Sequence, residues 1–445
     1  MRVAIVGGGI GGLTAARTLV AAGIDAHVLE AAPRPGGVIG TSRVDGFLRE
    51  HAASSFLGGP SRGALALCHE LGVEVEHASP RAKRRWIFID GKLRAVPASP
   101  VDLVRSDLLT WRGKLDLLRE PLRPPTQSEE DESIHAFAAR RLGAEAARAL
   151  VAPFVTGIYA ADAHDISVQA GFPKLAELER HGGLVRGMLR QAGRGMLGRV
   201  LGRRTQKTPR GMWAPRGGLA KLIDALATSL GPRVQLGRTV EQIAPSRGGV
   251  SIDGELWDGV VLALPAQQAR TLVTLPELAT RLDAFYRAPT ALAYLGYAEG
   301  DVEGGRDGFG ALVALGEDVR LLGVVFESVV WEDRAPAGQV LLRCIFGGGR
   351  DPEAASLTDA QLIDQARRDL GVVLGISAKP THASVVRWER GIAQYPVGHR
   401  DHVRAAVTAA RTHKIALAGA DYCGPGVNDL CADSARILDE VRAWG

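Results

Sequence analysis

Three glycines near the start of the chain form a pattern that can bind phosphate groups. Gly7, Gly9 and Gly12 have the spacing GxGxxG and follow the apolar run of residues 2–6. In such a loop the first glycine permits a tight turn, the second lets the backbone approach a pyrophosphate, and the third lets a helix pack closely on a strand. The free N–H groups at the start of the following helix then hold the phosphates. The spacing therefore predicts a dinucleotide site.

An acidic residue and a second glycine turn extend this site. Glu30 ends the next apolar run, where its carboxylate can accept hydrogen bonds from an adenosine ribose. Arg34, Gly36 and Gly37 follow and place a cation beside two glycines. A second loop that contacts phosphate suits a long, extended dinucleotide, so we expect FAD, one molecule per chain and bound non-covalently. Because no second strand–GxGxxG–helix unit is present for a pyridine nucleotide, we expect the reduced flavin to pass electrons to oxygen, a quinone or a protein.

Alternating strands and helices must hold these residues. A strand over residues 2–6, a helix over 13–22 and a strand over 25–30 predict a strand–helix–strand unit with parallel strands. A last buried strand over 415–418 and a closing helix over 428–444 indicate that both ends of the chain belong to one domain. The sequence therefore predicts a discontinuous α/β domain of the Rossmann type.

The middle of the chain differs in character. Residues 120–132 are rich in proline and acidic side chains and indicate an exposed linker, and residues 135–202 have a mostly helical pattern. Residues 186–210 contain basic side chains and no acidic one, with apolar residues at roughly helical spacing. This pattern is typical either of the solvated face of a helical insert or of an amphipathic segment that contacts anionic lipid or an acidic ligand.

Composition limits the class of protein. A chain of 445 residues predicts two or three domains. The four cysteines include no CxxC pair, so we predict neither disulfides nor a metal site, and we expect a reducing cytoplasm. No run reaches the roughly 18 apolar residues of a transmembrane helix. The net charge of +5 is modest for this length, and no nucleic-acid partner is predicted.

With these features assembled, the chain resembles the protoporphyrinogen oxidases, flavoenzymes of haem synthesis within the amine oxidase and phytoene desaturase superfamily. The likeness extends nearly from end to end, and the GxGxxG portion is shared by the whole superfamily. The segments that carry it further are Ala82–Arg85, Thr156–Ala160, Asp307–Gly310, Gln394-Tyr395, Gly398-His399 and Gly426–Asp429. Among these, Thr-Gly-Ile-Tyr and Gln-Tyr-x-x-Gly-His are particular to the porphyrinogen oxidases.

The resemblance implies an organisation and a reaction. It implies an FAD-binding domain over residues 1–85, 210–270 and 385–445, an α+β substrate domain over 271–384, and a helical insert over 86–209 that associates with membranes. The implied activity is oxidation of protoporphyrinogen IX to protoporphyrin IX with molecular oxygen, by successive hydride transfers from the tetrapyrrole to the flavin. No general base is identified, and the resemblance does not require one. The sequence leaves open a homodimer and peripheral contact with the inner face of the cell membrane.

The resemblance also assigns substrate contacts. Arg85 matches the arginine that pairs with a substrate propionate, which suits the two-pronged fork of a guanidinium. Phe309, Gly310 and Leu312 resemble the residues that line the flat tetrapyrrole, although apolar strand residues are more often plain core.

Further positions match cofactor contacts. Val240 matches the residue whose backbone meets the adenine, and Trp388 either flanks the flavin or fills the core. Gly426, Val427 and Asn428 begin a helix whose N–H groups can stabilise negative charge on the reduced flavin.

Two departures from the family pattern keep other functions open. Ala52-Ala53 replaces a Gly-Pro pair, where any positive φ would be strained, and Cys423-Gly424-Pro425 alters the C-terminal signature. The alternatives are oxidation of coproporphyrinogen III, with extra cations supplied by His51 or by residues 81–85, a flavin-dependent oxidase of amines or secondary metabolites, and a flavin-bound porphyrin carrier without turnover.

Overall fold

The computed structural model describes residues 1–59, 63–126, 130–190, 209–302 and 307–445. Most of the basic run predicted over 186–210 therefore lies outside the described residues. Among the described residues, no helix combines the length and the apolar composition needed to cross a membrane.

The strands are numbered in chain order. They are β1 (Arg2–Val6), β2 (Asp25–Glu30), β3 (Thr41–Val44), β4 (Phe47–Glu50), β5 (Phe56–Leu57), β6 (Val75–His77), β7 (Trp86–Ile89), β8 (Lys92–Ala95), β9 (Met212–Pro215), β10 (Val234–Leu236), β11 (Ile243–Ser246), β12 (Gly249–Ile252), β13 (Glu255–Trp257), β14 (Gly259–Leu262), β15 (Arg287–Ala298), β16 (Gly310–Val313), β17 (Gly323–Phe326), β18 (Gln339–Gly347), β19 (His382–Ala393) and β20 (Ile415–Leu417).

The helices are numbered in the same way, and residues 184–190 are also helical. They are α1 (Ile10–Ala21), α2 (Ala64–Glu70), α3 (Pro100–Arg105), α4 (Trp111–Leu118), α5 (Ile134–Leu142), α6 (Ala144–Ala146), α7 (Ala152–Tyr159), α8 (Val168–Gly171), α9 (Pro173–Arg180), α10 (Ala220–Leu230), α11 (Ala266–Leu272), α12 (Pro276–Leu282), α13 (Glu327–Val330), α14 (Asp359–Leu374), α15 (His399–Arg411), α16 (Ala420–Cys423), α17 (Val427–Ala432) and α18 (Ser434–Arg442).

Contacts divide the chain into two compact units. The first contains Met1–Ala78, Thr208–Arg287 and Arg400–Gly445, and the second contains Ser79–Lys207 and Ala288–His399. These units reflect how the chain packs. The domains in the sequence analysis were assigned by the ligands expected to bind them, so that assignment stays a prediction. Residues 79–85 and 385–399 pack in the second unit and residues 271–287 in the first.

A parallel sheet forms the centre of the first unit. Its strand order is β10-β2-β1-β14-β20, and every neighbouring pair is parallel. Strands β1, β14 and β20 are almost wholly buried, which explains why they appear in the sequence as short, continuous apolar runs. The two ends of the chain thus share one sheet, as the sequence predicted.

Helices cover this sheet because their apolar faces match it. In α1, Leu13 and Leu19 are fully buried, and they pack in one cluster with Leu222 of α10 and Ile437 of α18. The strand order reverses at β1, since α1 leads to β2 on one side and β14 lies on the other. In open sheets of this kind, ligands bind beyond the carboxyl end of the strand at such a point.

A seven-stranded mixed sheet forms the centre of the second unit. Its strand order is β19-β15-β18-β17-β16-β7-β8. Strand β7 pairs in parallel with β16, although the two lie more than two hundred positions apart in the chain. The helix α14 lies against this sheet through the buried residues Leu362, Ala366 and Leu370. The combination of sheet and helices agrees with the predicted α/β class.

One local expectation was wrong, and another holds with one exception. The closing helix predicted over 428–444 is two helices, α17 and α18, which are separated at Asp433; beside this break the Ser434 hydroxyl donates to the carbonyl of Cys431. The described residues of the segment 120–132, predicted as an exposed linker, are exposed or half-buried except the first. Glu120 is 1% exposed and pairs with the guanidinium of Arg141.

Candidate functional site

The first glycine of the GxGxxG segment turns the chain away from β1. Gly7 has φ +110°, a conformation that side chains rarely adopt, and a methyl group there would lie 2.5 Å from the carbonyl oxygen of Ala263. The N–H of Gly7 donates to the carbonyl of Leu29. Gly7 therefore permits the tight turn that leads from β1 to α1, as predicted from its place in the motif.

The other two motif glycines have opposite surroundings. A methyl group on Gly12 would lie 2.0 Å from the carbonyl oxygen of Gly7, so only glycine lets α1 pack this closely on the end of β1. A methyl group on Gly9 would meet no atom within 4 Å. Gly9 immediately precedes α1, and no side chain caps the helix there. The open space therefore lies at the helix N-terminus, where N–H groups and the helix dipole favour an anion.

Glu30 lies beside this loop at the carboxyl end of β2. One carboxylate oxygen accepts from the N–H of Gly8 at 2.6 Å, and the other accepts from the N–H of Ala32 at 2.8 Å. These contacts fix the carboxylate next to the open space, and each oxygen keeps lone pairs for a ribose hydroxyl. The negative charge would also repel a 2′-phosphate.

The second glycine turn packs directly against the first. The N–H of Gly36 donates to the carbonyl of Gly8 at 2.7 Å. Gly37 has φ +58°, and a methyl group on it would lie 3.5 Å from the Cα of Gly9. Arg34 donates to the carbonyl oxygens of Gly37 and Ile39 at 3.0 and 2.9 Å. The guanidinium therefore orders the backbone of its own turn, which a sequence pattern alone does not indicate.

These residues fit FAD. The open space at Gly9, the glycine turn at Gly36 and Gly37, and the carboxylate of Glu30 meet at the carboxyl end of β1, where the strand order reverses. FAD bound there would place its pyrophosphate against the N-terminus of α1 and its adenosine ribose against Glu30.

Four other predicted cofactor positions also lie in the first unit, namely Val240, Gly426, Val427 and Asn428. Val240 is buried and follows β10, and in the same segment the N–H of Arg238 donates to the carbonyl of Glu30. Gly426 precedes α17, and the carboxylate of Asp429 accepts its N–H. Asn428 has a different role from the one predicted for its backbone.

The side chain of Asn428 connects three segments. Its carbonyl oxygen accepts from the N–H of Ala64 at the start of α2, at 2.9 Å. Its amide donates to the carbonyl of Leu57 at 2.6 Å. Val427, the preceding residue, is buried in the core beside α1. Trp388, by contrast, is half-buried in β19 of the second unit.

The predicted substrate residues come together in the second unit. Arg85 precedes β7 and Phe309 precedes β16, and the parallel register of these strands aligns their starts. The Arg85 guanidinium carbon lies 5.6 Å from the centre of the Phe309 ring, within the range of a cation–π contact. Arg85 is exposed and Phe309 is half-buried. Together they offer a cation beside an aromatic face.

The backbone around this pair is tightly fixed. The N–H of Phe309 donates to the carbonyl of Arg84, and Gly310 lies so close to β17 that a methyl group would be 2.0 Å from the carbonyl oxygen of Val324. Leu312 lies on β16 opposite Ile87 and is packed against Gly157 of α7. Leu312 is therefore half-buried and packs against α7, and it stays a candidate for lining the tetrapyrrole site.

The two most family-specific segments meet each other. The side-chain amide of Gln394 donates to the carbonyl of Tyr159 at 2.9 Å, and the rings of Tyr159 and Tyr395 lie 5.5 Å apart. The rings of Tyr395 and His399 stack at 4.3 Å. These segments therefore form an internal contact that holds α7 against the end of β19.

The structure answers two further questions from the sequence. Neither Ala52 nor Ala53 has a positive φ, so the replacement of Gly-Pro introduces no backbone strain there. The cysteines are free, and burial raises the pKa of Cys68 to about 12 and of Cys431 to about 12. These two thiols therefore stay protonated and are poor nucleophiles. The described residues contain no group of three or more potential metal ligands.

Sequence reasoning missed a buried ion pair in the first unit. Asp421 is 1% exposed, and its carboxylate accepts from the Nε of Arg287 at 2.9 Å and from the N–H of Ala266 at 2.7 Å. The three residues are distant in the chain, so no spacing could indicate the contact. It ties the altered C-terminal signature to the start of α11.

Comparisons with known proteins agree with this geometry. Residues 10–437 match the family model described as flavin containing amine oxidoreductase. The chain is 34% identical to a chloroplastic protoporphyrinogen oxidase of Oryza sativa subsp. japonica, over 91% of this chain and 81% of that protein. It is 28% identical to a coproporphyrinogen III oxidase of Staphylococcus aureus, over 99% of each protein.

Solved structures share the fold. A structure from Exiguobacterium sp. 255-15 matches with a TM-score of 0.82 and 25% identity, covering 99% of this chain and 98% of that chain. Cyclohexylamine oxidase from Brevibacterium oxydans IH-35A matches with a TM-score of 0.71 and 17% identity, covering 99% of both, which shows the fold alone.

Proposed function

This chain belongs to the flavin-containing amine oxidoreductase family, and from that premise we propose that it is an oxygen-dependent oxidase of protoporphyrinogen IX. The observation that carries the substrate class is the pairing of Arg85 with Phe309 at the aligned starts of β7 and β16. A propionate needs a cation and a tetrapyrrole needs an apolar face. Relatives named protoporphyrinogen oxidase from plants and mammals support this assignment.

We assign these residues the following roles. FAD, one molecule per chain and held non-covalently at the glycine turns, supplies a hydride acceptor that molecular oxygen can reoxidise. Arg85 binds a propionate, and Phe309 holds the tetrapyrrole by its ring face. Each oxidation removes a hydride and a proton from the substrate and converts oxygen to hydrogen peroxide. Three such oxidations convert a porphyrinogen to a porphyrin.

A direct test uses the purified, FAD-loaded protein in air. Protoporphyrinogen IX is added, and porphyrin fluorescence and peroxide are followed together. We expect porphyrin and peroxide to rise at rates proportional to enzyme concentration. Porphyrin formation no faster than the spontaneous rate would contradict the proposal. The alternative of a flavin-bound porphyrin carrier without turnover would then remain. Oxidation of simple amines under the same conditions would indicate an amine oxidase instead.

The role of Arg85 has its own test. Replacing it in the variant Arg85→Ala removes a charge-assisted contact of about 1.5–3 kcal/mol, which predicts a rise of roughly tenfold or more in KM. Arg85→Lys keeps the charge but lacks the fork geometry of a guanidinium, so its KM should lie between those of the wild type and of Arg85→Ala. Arg404→Ala, an exposed cation on α15, is the control. An unchanged KM in Arg85→Ala would exclude the propionate contact.

A second candidate substrate is coproporphyrinogen III, which has four carboxylates. Lys83 and Arg84 are exposed beside Arg85, so this edge of the unit has more cations than two propionates need. Bacterial relatives named coproporphyrinogen III oxidase are 26–28% identical to the chain. Comparison of kcat/KM for both porphyrinogens decides between the substrates, and a Lys83→Ala, Arg84→Ala variant should lose activity selectively on the tetracarboxylate.

We also propose peripheral contact with an anionic membrane, at the inner face of the cell membrane. The helix α4 turns an apolar stripe outwards: Trp111, Leu115 and Leu118 are 66%, 51% and 64% exposed. Its inner face buries Lys114, whose ammonium donates to the carbonyl of Val104. Such an inverted orientation leaves the apolar face for an interfacial environment.

Co-sedimentation with phosphatidylglycerol vesicles tests the membrane contact. We expect binding to fall in the double variant Trp111→Ser, Leu115→Ser, while porphyrinogen oxidation in solution persists. The variant Leu256→Ser is the matched control, because Leu256 is 55% exposed on β13 of the first unit. Equal binding by both variants would contradict the proposal. A mass measurement in solution tests the predicted homodimer.

A further inference from the structure

We infer that His51 is a positioning residue for the FAD site, which supports the second glycine turn only while its imidazole is neutral. The inference goes beyond the proposed function in naming a residue and a protonation state on which FAD retention depends. It rests on the proposed binding of FAD at the glycine turns, and it does not depend on which substrate is oxidised.

A single hydroxyl connects the imidazole of His51 to a guanidinium. The Ser42 hydroxyl accepts a hydrogen bond from the Nε of Arg49 at 2.7 Å, and its oxygen lies 3.0 Å from Nε2 of His51. A hydroxyl oxygen has one proton and two lone pairs, so it can bond to either tautomer of the ring. The guanidinium of Arg49 is therefore separated from Nε2 of His51 by this hydroxyl alone.

The other side of the ring faces the turn that contains Arg34. Gly40 lies between the two side chains: a methyl group there would be 2.6 Å from Nδ1 of His51 and 3.3 Å from the guanidinium of Arg34. The N–H of His51 also donates to the carbonyl of Gly40 at 2.7 Å. The ring thus packs against the end of the turn that Arg34 orders.

That turn in turn contacts the phosphate-binding loop. The carbonyls of Gly37 and Ile39 accept from Arg34, and Gly36 donates to the carbonyl of Gly8. A displacement of Arg34 would therefore release the turn that packs on the open space at the start of α1. A chain of direct contacts connects the imidazole of His51 to the place proposed for the pyrophosphate.

The charged groups near the ring oppose its protonation. Burial, followed by the nearby guanidinium groups of Arg34 and Arg49, lowers the pKa of His51 below the ordinary value of 6.5. The neighbouring carboxylate of Glu50 is engaged elsewhere, by the Thr41 hydroxyl and the N–H of Leu219. A proton added to His51 would therefore place a third positive charge beside the guanidinium groups of Arg34 and Arg49.

Measurement of FAD affinity against pH tests the inference without any turnover. The FAD-depleted full-length protein is titrated with FAD, and quenching of flavin fluorescence gives the dissociation constant between pH 5.5 and 7.5. We expect wild-type binding to be a few-fold weaker at pH 5.5 than at pH 7.5. A one-unit difference in the pKa of His51 between the FAD-free and FAD-bound protein gives a full tenfold change only at a pH below both pKa values.

Two substitutions separate protonation from packing. In His51→Gln a neutral amide, which can donate or accept, replaces the imidazole beside Ser42, so binding at pH 7.5 should stay close to wild type and the dependence on pH should largely disappear. His51→Lys, a permanent cation, should bind FAD weakly at every pH. The control His402→Gln, at an exposed position on α15, should keep the wild-type dependence.

The outcomes are distinguishable. Equal dependence on pH in wild type and His51→Gln would overturn the inference and leave FAD binding intact. Absence of FAD binding by the wild-type protein at pH 7.5 would overturn the proposed function itself.

Discussion

Alanine substitution at three neighbouring glycines should give three different results. Gly12→Ala places a methyl group 2.0 Å from the carbonyl oxygen of Gly7, which is backbone, and 3.1 Å from Cβ of Ala263, so no flexible side chain can move to relieve the clash. Overpacking of this kind costs about 1–3 kcal/mol or more. For a unit of about two hundred residues, each kcal/mol lowers Tm by roughly 2–4 °C. Gly12→Ala should therefore destabilise the protein even without FAD.

Gly9→Ala should spare stability and affect FAD. The backbone at Gly9 has φ −69° and ψ 173°, which alanine adopts without strain, and the methyl group would meet no atom within 4 Å. Glycine is favoured over alanine at an N-cap, but alanine lowers the entropy of the unfolded chain, so these opposing effects should leave the stability of the FAD-depleted protein within about 1 kcal/mol of wild type. The methyl group would occupy the space proposed for the pyrophosphate, so FAD affinity should fall by tenfold or more.

Gly11→Ala serves as the control within the same loop. An added methyl group would lie 3.9 Å from the Leu430 side chain, an ordinary contact, and alanine is favoured over glycine in a helix by roughly 0.5–1 kcal/mol. We expect unchanged FAD affinity and equal or higher Tm. Thermal unfolding of the FAD-depleted proteins and FAD titration measure the two effects separately. If Gly9→Ala bound FAD like wild type, or lost as much stability as Gly12→Ala, the assignment of the open space would be wrong.

Other perturbations have expected results of their own. Asp421→Ala leaves Arg287 buried without its carboxylate and should reduce the free energy of unfolding by about 3–5 kcal/mol, measured by urea titration. The side-chain hydrogen bond from Arg320 holds the pKa of Asp351 below its ordinary 3.8, so its stabilisation is complete above that value and is lost as pH falls through the folded-state pKa. The Tm difference between wild type and Asp351→Asn should therefore vanish on acidification. Ala160 has φ +48° at the end of α7, so Ala160→Gly should raise stability by about 1 kcal/mol, and a lower Tm would contradict that expectation.

The sequence predicted the FAD-binding fold well because its signals are local. The loop of Gly7 to Gly12, the strand that precedes it and the helix that follows are contiguous, and at Gly7 and Gly12 a methyl group would clash with neighbouring backbone. The buried runs of β1 and β20 were recognisable because strands covered on both faces are continuously apolar.

Contacts between distant segments could not be predicted from spacing. The pairing of β7 with β16 brings Arg85 to Phe309 only through tertiary structure, and only the family resemblance named both. The contacts of Asn428 with Leu57, and of Asp421 with Arg287, have no local signature.

The apolar stripe on α4 is visible in the sequence, but the sequence does not show whether the stripe faces the core or the solvent. Trp111, Leu115 and Leu118 have helical spacing, which ordinarily indicates a buried face, and the structure turns that face outwards. The hydrogen bonds that Arg34 donates to two carbonyls of its own turn had no signal in the sequence either.

The most direct test of the account is anaerobic mixing of the FAD-loaded protein with protoporphyrinogen IX, with the flavin absorbance followed in time. The account predicts rapid bleaching of the oxidised flavin, followed by its return and by porphyrin fluorescence when oxygen is admitted. Flavin that stays oxidised in the presence of both protoporphyrinogen IX and coproporphyrinogen III would contradict the claim that this protein oxidises porphyrinogens.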